Sequence, residues 1–317
     1  MDEFLGIFYS ILPPFILLGI GALARGLGWL KSEADSSLSM ITVRILYPCF
    51  IFFHIVDSET SFDSSTFITA SFGFITILLG FVLSWLVAFV FRIDEDTAPT
   101  FRFCSGIFNY GFIAIPVAIA IFDQDIVVQI ILFNLGVEIA IWTIGILILS
   151  GQKFTLNGVF NPPAISVLVA LLVEALGGQK LIPSFTWNVI ESCAMCSIPV
   201  GLMLIGASFY KLLSSFHFSR GLKVEMGSVV VRNFLFPTIV LMYVYIGYIP
   251  EGILFIREVL VIQAAMPAGI FAIVIVGNYF GDKDTAMRSI IVTMFASILT
   301  LPLWIMLGFS ILEKNNF

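Results

Sequence analysis

Long apolar runs cover most of this chain. A helix of about 20 apolar residues crosses a hydrocarbon core of about 30 Å, and ten runs of roughly that length follow one another in the sequence. They lie at 4–24, 38–56, 66–91, 101–122, 126–149, 162–177, 185–210, 224–249, 253–280 and 286–312. With 59% hydrophobic and 11% charged residues, the composition excludes a soluble domain. The sequence therefore predicts an all-α integral membrane protein with ten spans, of which the sixth is short.

The positions of Lys and Arg predict how these spans are oriented. If the N-terminus lies outside, the cytoplasmic connections hold ten of the 15 basic residues and the outer connections hold three, while Arg44 and Arg232 lie inside spans. Cytoplasmic loops carry an excess of positive charge. We therefore predict a multi-pass protein of the plasma (inner) membrane with both termini on the non-cytoplasmic side. No basic patch suggests binding to nucleic acid.

Five prolines of the first half of the chain recur at an offset of about 150 residues. The pairs are Pro13 and Pro162, Pro14 and Pro163, Pro48 and Pro199, Pro99 and Pro250, and Pro116 and Pro267. Such a period divides ten spans into five and five, and because five is odd the second unit crosses the membrane in the opposite sense. We therefore predict two inverted five-helix repeats, residues 1–155 and 156–317. The alternative is that prolines occupy similar places in an ordinary ten-helix bundle.

Two of the predicted spans contain helix-breaking residues near their middle. The fourth, SGIFNYGFIAIPVAIAIF, carries Asn-Tyr-Gly and Pro116, and the ninth, VIQAAMPAGIFAIVIVGNYFGD, carries Pro267. Backbone groups freed at membrane depth are tolerated only inside protein or beside a polar cavity, where half-helix N-termini direct a positive dipole at an anion. We predict that both spans are interrupted, that they meet at their prolines, and that the crossing forms a substrate site. The alternative is a pair of proline kinks without a ligand.

Several segments resemble the auxin efflux carrier family of transporters, which includes bacterial dicarboxylate carriers and the plant PIN proteins. NYGFIAIPVAIAIF is similar to the fourth helix of that family and VIQAAMPAGIFAIVI to the ninth. NPPAISVLVALL, IPVGLMLIGASF and SILTLPLWIM resemble the sixth, seventh and tenth helices. Two positions depart from the family pattern, since Ala114 stands where Gly is usual and Phe271 falls about where many members carry Asn. Both departures bear on the type of substrate.

The resemblance implies a fold and a mechanism. The fold is of the NhaA and bile-acid-symporter type, with ten helices in two inverted repeats and the fourth and ninth helices crossing. Helices 1, 2, 6 and 7 would form a scaffold and a homodimer contact, and helices 3–5 and 8–10 would carry the site in an elevator-type movement. The activity implied is secondary active transport of a small organic anion, a mono- or dicarboxylate, without a cofactor and without enzyme chemistry. The alternatives are a sodium-coupled symporter, and a membrane sensor or intramembrane enzyme on a carrier fold.

Polar residues and breaks inside the spans are the candidates for binding, because each is costly in lipid. Asn109 and Tyr110 precede Pro116 on the fourth span, and Gln263 lies one turn before Pro267 on the ninth. We predict that these five residues form the substrate site. For Asn109 the alternative is a cap on the exposed end of a half-helix.

Two charged residues lie deep in the predicted spans. By helical rise, Glu138 in the fifth span and Arg232 in the eighth lie at comparable depths. They could form a buried structural ion pair. Alternatively, Arg232 binds a substrate carboxylate and Glu138 takes up a coupling proton.

The cysteines do not suggest a metal site. Cys193 and Cys196 form a C-x-x-C inside an apolar span, and no second ligand pair follows them. We therefore expect them to be small packing residues, and we predict no bound metal.

Overall fold

The computed structural model describes residues 2–57, 64–122, 124–150, 161–214, 216, 218, 222–247, 249, 251–279 and 281–314. These residues form helices and their connections. The one strand-like pairing among them is an isolated antiparallel bridge between Phe108 and Ala268. The prediction of an all-α protein is therefore confirmed.

The helices are numbered here in chain order. They are α1 Asp2–Gly26, α2 Ser32–Asp57, α3 Ser64–Val90, α4 Ala98–Gly106, α5 Ala114–Ile121, α6 Asp125–Ser150, α7 Pro162–Leu176, α8 Ser184–Ser214, α9 Lys223–Ile246, α10 Ile256–Ala265, α11 Phe271–Asn278 and α12 Lys283–Lys314. Within the described residues, seven helices are long and apolar enough to cross a membrane, namely α1, α2, α3, α6, α8, α9 and α12. The shorter apolar helix α7 corresponds to the short sixth predicted span.

The two remaining predicted spans are each divided into two short helices. The fourth consists of α4 and α5, which are joined by residues 107–113, and the ninth consists of α10 and α11, which are joined by residues 266–270. The backbone turns from helical to extended at Ile107 (φ −96°, ψ 126°) and at Met266 (φ −73°, ψ 140°). The predicted interruptions are therefore present in both spans.

The paired prolines do not all occupy equivalent local positions. Pro13 and Pro14 lie inside α1, whereas Pro162 and Pro163 are the first two residues of α7. Pro250 lies outside the described residues. The inverted repeat of two five-helix units therefore stays a prediction.

The helices pack in two groups. In the first, α1 packs along α8, and α2 packs on α7 and α8. In the second, α3 packs along α4 and α6, and α12 packs on α4, α9 and α10. The groups touch where α2 meets α6 and where α1 meets α5 and α12.

The pair α3 and α6 is held at very short distance by two glycines. A Cβ atom on Gly136 would lie 1.6 Å from the carbonyl oxygen of Ala70, and one on Gly73 would lie 2.0 Å from that of Phe133. Small residues of this kind let membrane helices bring their backbones together. This contact fixes α6 beside Gly136, close to the carboxylate of Glu138.

Candidate functional site

The two interruptions are joined by backbone hydrogen bonds. The N–H of Asn109 donates to the carbonyl oxygen of Pro267 at 2.8 Å, and the N–H of Gly269 donates to that of Ile107 at 2.9 Å. Pro267 therefore lies at the crossing, as predicted. Pro116 does not occupy the equivalent place, since it lies in the first turn of α5 and Pro267 pairs with Asn109 instead. A proline is well tolerated in a first helical turn because no helical hydrogen bond is lost there.

A residue of α12 also supports the crossing. The N–H of Ala268 donates to the hydroxyl oxygen of Thr293 at 3.2 Å. Between the two interruptions, a Cβ atom on Gly269 would lie 2.9 Å from the carbonyl oxygen of Phe108. The two backbones can therefore approach this closely only because residue 269 lacks a side chain.

A cavity of about 60 Å³ lies beside the crossing. Its walls come from both interruptions and from four helices, and they include Asn109, Tyr110, Gly269 and Ile270 at the crossing, Glu138 on α6, Val43 and Tyr47 on α2, Pro163 on α7, and Phe271 on α11. This space can hold several water molecules. Residues from both helix groups therefore meet in one cavity.

The predicted site residues divide between the cavity and its surroundings. Those that line the cavity are Asn109, Tyr110 and Glu138. Those outside the lining, among the residues that the structure describes, are Pro116, Arg232, Gln263 and Pro267.

Glu138 accepts three hydrogen bonds. The Tyr110 hydroxyl donates to its Oε1 at 2.6 Å, and its Oε2 accepts from Trp142 Nε1 at 2.8 Å and Asn161 Nδ2 at 3.2 Å. Three donors around one carboxylate can satisfy it without a cation. The predicted ion pair between Glu138 and Arg232 is not formed.

Arg232 is completely buried and stacks on aromatic rings. Its Cζ lies 3.9 Å from the ring centroid of Phe236 and 5.4 Å from that of Phe108. Among the described residues, none accepts a hydrogen bond from its Nε, Nη1 or Nη2. Phe108 is a lining residue of the cavity and Arg232 is not, so Phe108 is in contact with both the cavity and the guanidinium.

Asn109 has the capping role that its sequence position allowed, and its substrate role stays a prediction. Its Oδ1 accepts a hydrogen bond from the backbone N–H of Ile113, just before α5, at 3.3 Å. Its Nδ2 is buried and has no hydrogen-bond partner within the described part of the chain. The side chain therefore supports the start of a half-helix and also keeps a donor available beside the cavity.

Gln263 stabilises the crossing from α10. Its Nε2 lies 3.4 Å from the carbonyl oxygen of Tyr110 and 3.3 Å from Asn134 Oδ1, and Asn134 Nδ2 donates to the same Tyr110 oxygen at 3.0 Å. Gln263 Oε1 is buried without a partner among the described residues. Gln263 thus connects the first interruption to α10, outside the lining of the cavity.

Most of the chain also matches a known family. A family model described as "Membrane transport protein" covers residues 7–156 and 148–305. This chain belongs to that family, the auxin efflux carrier family. A protein described as an uncharacterized transporter from Methanothermobacter thermautotrophicus is 23% identical over 308 residues, which are 95% of this chain and 98% of the relative. A second uncharacterized transporter, from Methanocaldococcus jannaschii, is 22% identical over 303 residues, 93% of this chain and 96% of the relative.

One of the two departures from the family pattern, Phe271, lines the cavity, and the other, Ala114, does not. Ala114 is the first residue of α5 and is fully buried, so its methyl group packs inside the protein. Phe271 lines the cavity at the start of α11. An aromatic ring at Phe271 gives this family member an apolar wall on that side of the cavity.

Four further residues shape the site and were not predicted. Asn134 and Trp142 each lie one turn from Glu138 on α6, a spacing that brings side chains together on a helix. Asn161 precedes two prolines that open α7, which is a typical N-cap pattern. The presence of Asn134, Trp142 and Asn161 at the site could therefore have been predicted from the sequence. Tyr47 gives no such signal, because its place in the cavity depends on how α2 packs.

Proposed function

We propose that this family member is a secondary active transporter of a small organic anion, a mono- or dicarboxylate, and that the cavity beside the crossing is its substrate site. The observation that carries the proposal is the crossing itself, where Asn109 and Pro267 join two interrupted helices inside a membrane protein. Extended backbone at membrane depth is found where it is buried or lines a substrate cavity. Membership of a membrane transport family supports the same conclusion.

The chemistry of the cavity suits an anion with an apolar body. Asn109 Nδ2 supplies a hydrogen-bond donor without a partner among the described residues, beside the start of α5, where the helix dipole is positive. Arg232, behind Phe108, supplies a buried positive charge near the crossing. Much of the remaining wall is apolar, with Ile270 and Phe271 among its residues. A carboxylate attached to a hydrophobic group matches these surroundings.

The helix groups support an elevator-type mechanism. The first group, α1, α2, α7 and α8, contains the helices predicted as scaffold and homodimer contact, and the second contains those predicted to carry the site. The cavity lies where the groups meet, since Tyr47 and Pro163 belong to the first group and Asn109 and Glu138 to the second. A shift of the second group against the first would open this cavity.

Glu138 is the proposed carrier of a coupling proton. Its carboxylate lines the cavity and accepts hydrogen bonds from Tyr110 at the first interruption and from Asn161 at the start of α7. A change of protonation at Glu138 would therefore alter contacts with the site and with the other helix group at once.

Flux through proteoliposomes tests the proposal. Purified protein is reconstituted, and uptake of radiolabelled malonate, succinate and benzoate is measured with an imposed pH gradient, an imposed sodium gradient or no gradient. We expect saturable uptake of at least one carboxylate that increases with the pH gradient. Protein-free liposomes measure passive entry, and benzamide, which has the shape of benzoate without its charge, should enter proteoliposomes no faster than these. Folded protein that moves none of these carboxylates would contradict the proposal. Uptake that responds to the sodium gradient alone would show that sodium, and not a proton, is the coupling ion.

A further inference from the structure

The guanidinium of Arg232 is covered by two aromatic rings of different origin. Phe236 lies four residues further along α9, so its ring stays beside Arg232 whenever that helix moves. Phe108 belongs to the interruption between α4 and α5. Of these two residues, Phe108 lines the cavity and Phe236 does not. Loss of the Phe108 contact would therefore expose the guanidinium to the cavity, whereas loss of the Phe236 contact would not.

The ring contacts leave most of the hydrogen-bonding capacity of Arg232 unused. All three of its nitrogens are buried without an acceptor within the described residues. The hydroxyl one turn back on α9, that of Ser228, is hydrogen-bonded to the Ser105 hydroxyl at 2.9 Å. A buried charge without a hydrogen-bonded partner is costly, and a cation–π contact compensates for it only in part. A carboxylate that meets a guanidinium in bidentate geometry is a stronger partner than a ring.

We propose that Phe108 is a lid over Arg232, and that the carboxylate of the transported anion replaces the Phe108 ring against the guanidinium during the transport cycle. The inference rests on the proposed function and deepens it, because it assigns charge recognition to Arg232 and control of access to Phe108. The backbone on both sides of Phe108 is held by the bonds of Ile107 and Asn109 to the second interruption. Rotation of the side chain alone therefore opens the path, and the crossing stays intact.

The lid predicts how the site selects its substrate. With Phe108 in place, the cavity offers hydrogen bonds and apolar walls to charged and uncharged molecules alike. With Phe108 turned away, a carboxylate gains the guanidinium of Arg232, and an amide of the same shape does not. Selection for a negative charge thus depends on the residue behind the lid.

Chemical labelling of arginine tests the lid without any measurement of flux. The purified full-length protein in detergent is treated with phenylglyoxal, which reacts with accessible guanidinium groups, and each modified arginine is identified by mass spectrometry. The exposed Arg92 is the internal reference. In the unmodified protein we expect Arg232 to react roughly tenfold more slowly than Arg92 or slower still, because reaction requires a local opening. In Phe108→Ala it should react at a rate close to that of Arg92.

Phe236→Ala is the matched control, since it removes a ring that is closer to the guanidinium but lies away from the cavity. We expect Arg232 to stay protected in Phe236→Ala. If Phe108→Ala does not yield folded protein, Phe108→Leu removes the ring while keeping an apolar side chain, and it should give the same increase. Equal labelling of Arg232 in the variants at Phe108 and at Phe236, or labelling as fast as Arg92 in the unmodified protein, would overturn the lid.

Protection by a small carboxylate completes the test. Benzoate should slow the labelling of Arg232 in Phe108→Ala several-fold, and benzamide should not. Equal protection by both compounds, or by neither, would overturn the role of Arg232 in charge recognition. If the labelling pattern is as expected and no carboxylate flux is found, the transport function fails and the lid stands. If flux is found and Arg232 reacts alike in all variants, the lid alone fails.

Discussion

The backbone N–H of Asn109 donates to the carbonyl oxygen of Pro267 at 2.8 Å, and this bond joins the two halves of the chain at their interruptions. The amide nitrogen of the same residue is buried without a partner among the described residues. Asn109 thus holds the crossing with its backbone, and its side chain is the proposed substrate ligand. Displacement of either interruption would consequently be transmitted to the other.

Substitution of Gly269 tests how closely the interruptions approach. In Gly269→Ala the added Cβ would lie 2.9 Å from the carbonyl oxygen of Phe108, closer than such atoms normally come. We expect a loss of about 1–3 kcal/mol in the free energy of unfolding, because crowding in a packed interior forces the backbone to shift. A thermal unfolding midpoint of the purified protein measures this loss. Gly252→Ala is the control, since its Cβ meets nothing within 4 Å, and equal midpoints for the two variants would contradict the close approach.

Two substitutions at Asn109 separate its roles. Asn109→Ser keeps an oxygen that can accept from the N–H of Ile113 but loses the amide donor, and Asn109→Ala loses both. We expect the serine variant to stay within about 0.5 kcal/mol of the original stability. Its carboxylate flux should nevertheless fall roughly 10- to 150-fold, because a hydrogen bond to a charged group contributes about 1.5–3 kcal/mol. Flux that merely follows the amount of folded protein in both variants would leave Asn109 with the capping role alone.

Glu138→Gln tests the coupling proton. A glutamine oxygen can still accept from Trp142 and Asn161, and its NH₂ group can donate to the hydroxyl oxygen of Tyr110, so the protein should fold. It cannot take up or release a proton. We expect carboxylate binding to remain while flux no longer responds to an imposed pH gradient. Trp142→Phe, which removes one donor but keeps the carboxylate, should retain that response, and a retained response in Glu138→Gln would rule out the proton role.

The interruptions could be predicted from the sequence because they depend on local residue types. Asn109, Tyr110 and Gly111 are poor helix formers within an apolar run, and the chain leaves the helix at Ile107, just before them. Pro116 was a less accurate guide, since a proline can open a helix as readily as it can end one. It marks the first turn of α5, and the crossing falls earlier, at Asn109.

The partners of the buried charges could be predicted only in part. Helical rise gives the depth of Glu138 and Arg232, but it does not give the direction in which each side chain points. Their ion pair, one of two alternatives that the sequence left open, is therefore not formed, whereas Trp142, a partner of Glu138 on its own helix, follows from helical spacing. The contact with Asn161 depends on how α7 packs beside α6, a long-range arrangement that a single sequence does not specify.

The bond between Asn161 and Glu138 links the two helix groups, and an elevator movement would have to break it. Asn161 Oδ1 caps α7 by accepting from the N–H of Ala164 at 2.9 Å, while Nδ2 donates to Glu138 at 3.2 Å. Asn161→Ser should preserve the cap and lose the link, because serine caps helices as well as asparagine does but is shorter. We expect the free energy of unfolding to fall by no more than about 1.5 kcal/mol, because the cap is kept and one hydrogen bond is lost. A conformation in which the two helix groups have shifted apart would lack this bond in any case. The conformation described here should therefore become roughly tenfold less populated relative to that shifted one, since a hydrogen bond to a charged group contributes about 1.5 kcal/mol or more.

Labelling of a cysteine in the cavity wall measures that shift. Ala272→Cys places a thiol at a buried position of the lining, and its reaction with a water-soluble maleimide reports how often the cavity opens. The rate should rise several-fold when Asn161→Ser is added. Ser166→Ala is the matched control, because the Ser166 hydroxyl donates at 2.6 Å to the carbonyl oxygen of Pro48 on α2, within one helix group. If Ala272→Cys reacts at the same rate with Asn161→Ser as with Ser166→Ala, the Asn161 bond is part of the packing of α7 and does not restrain the movement between the groups.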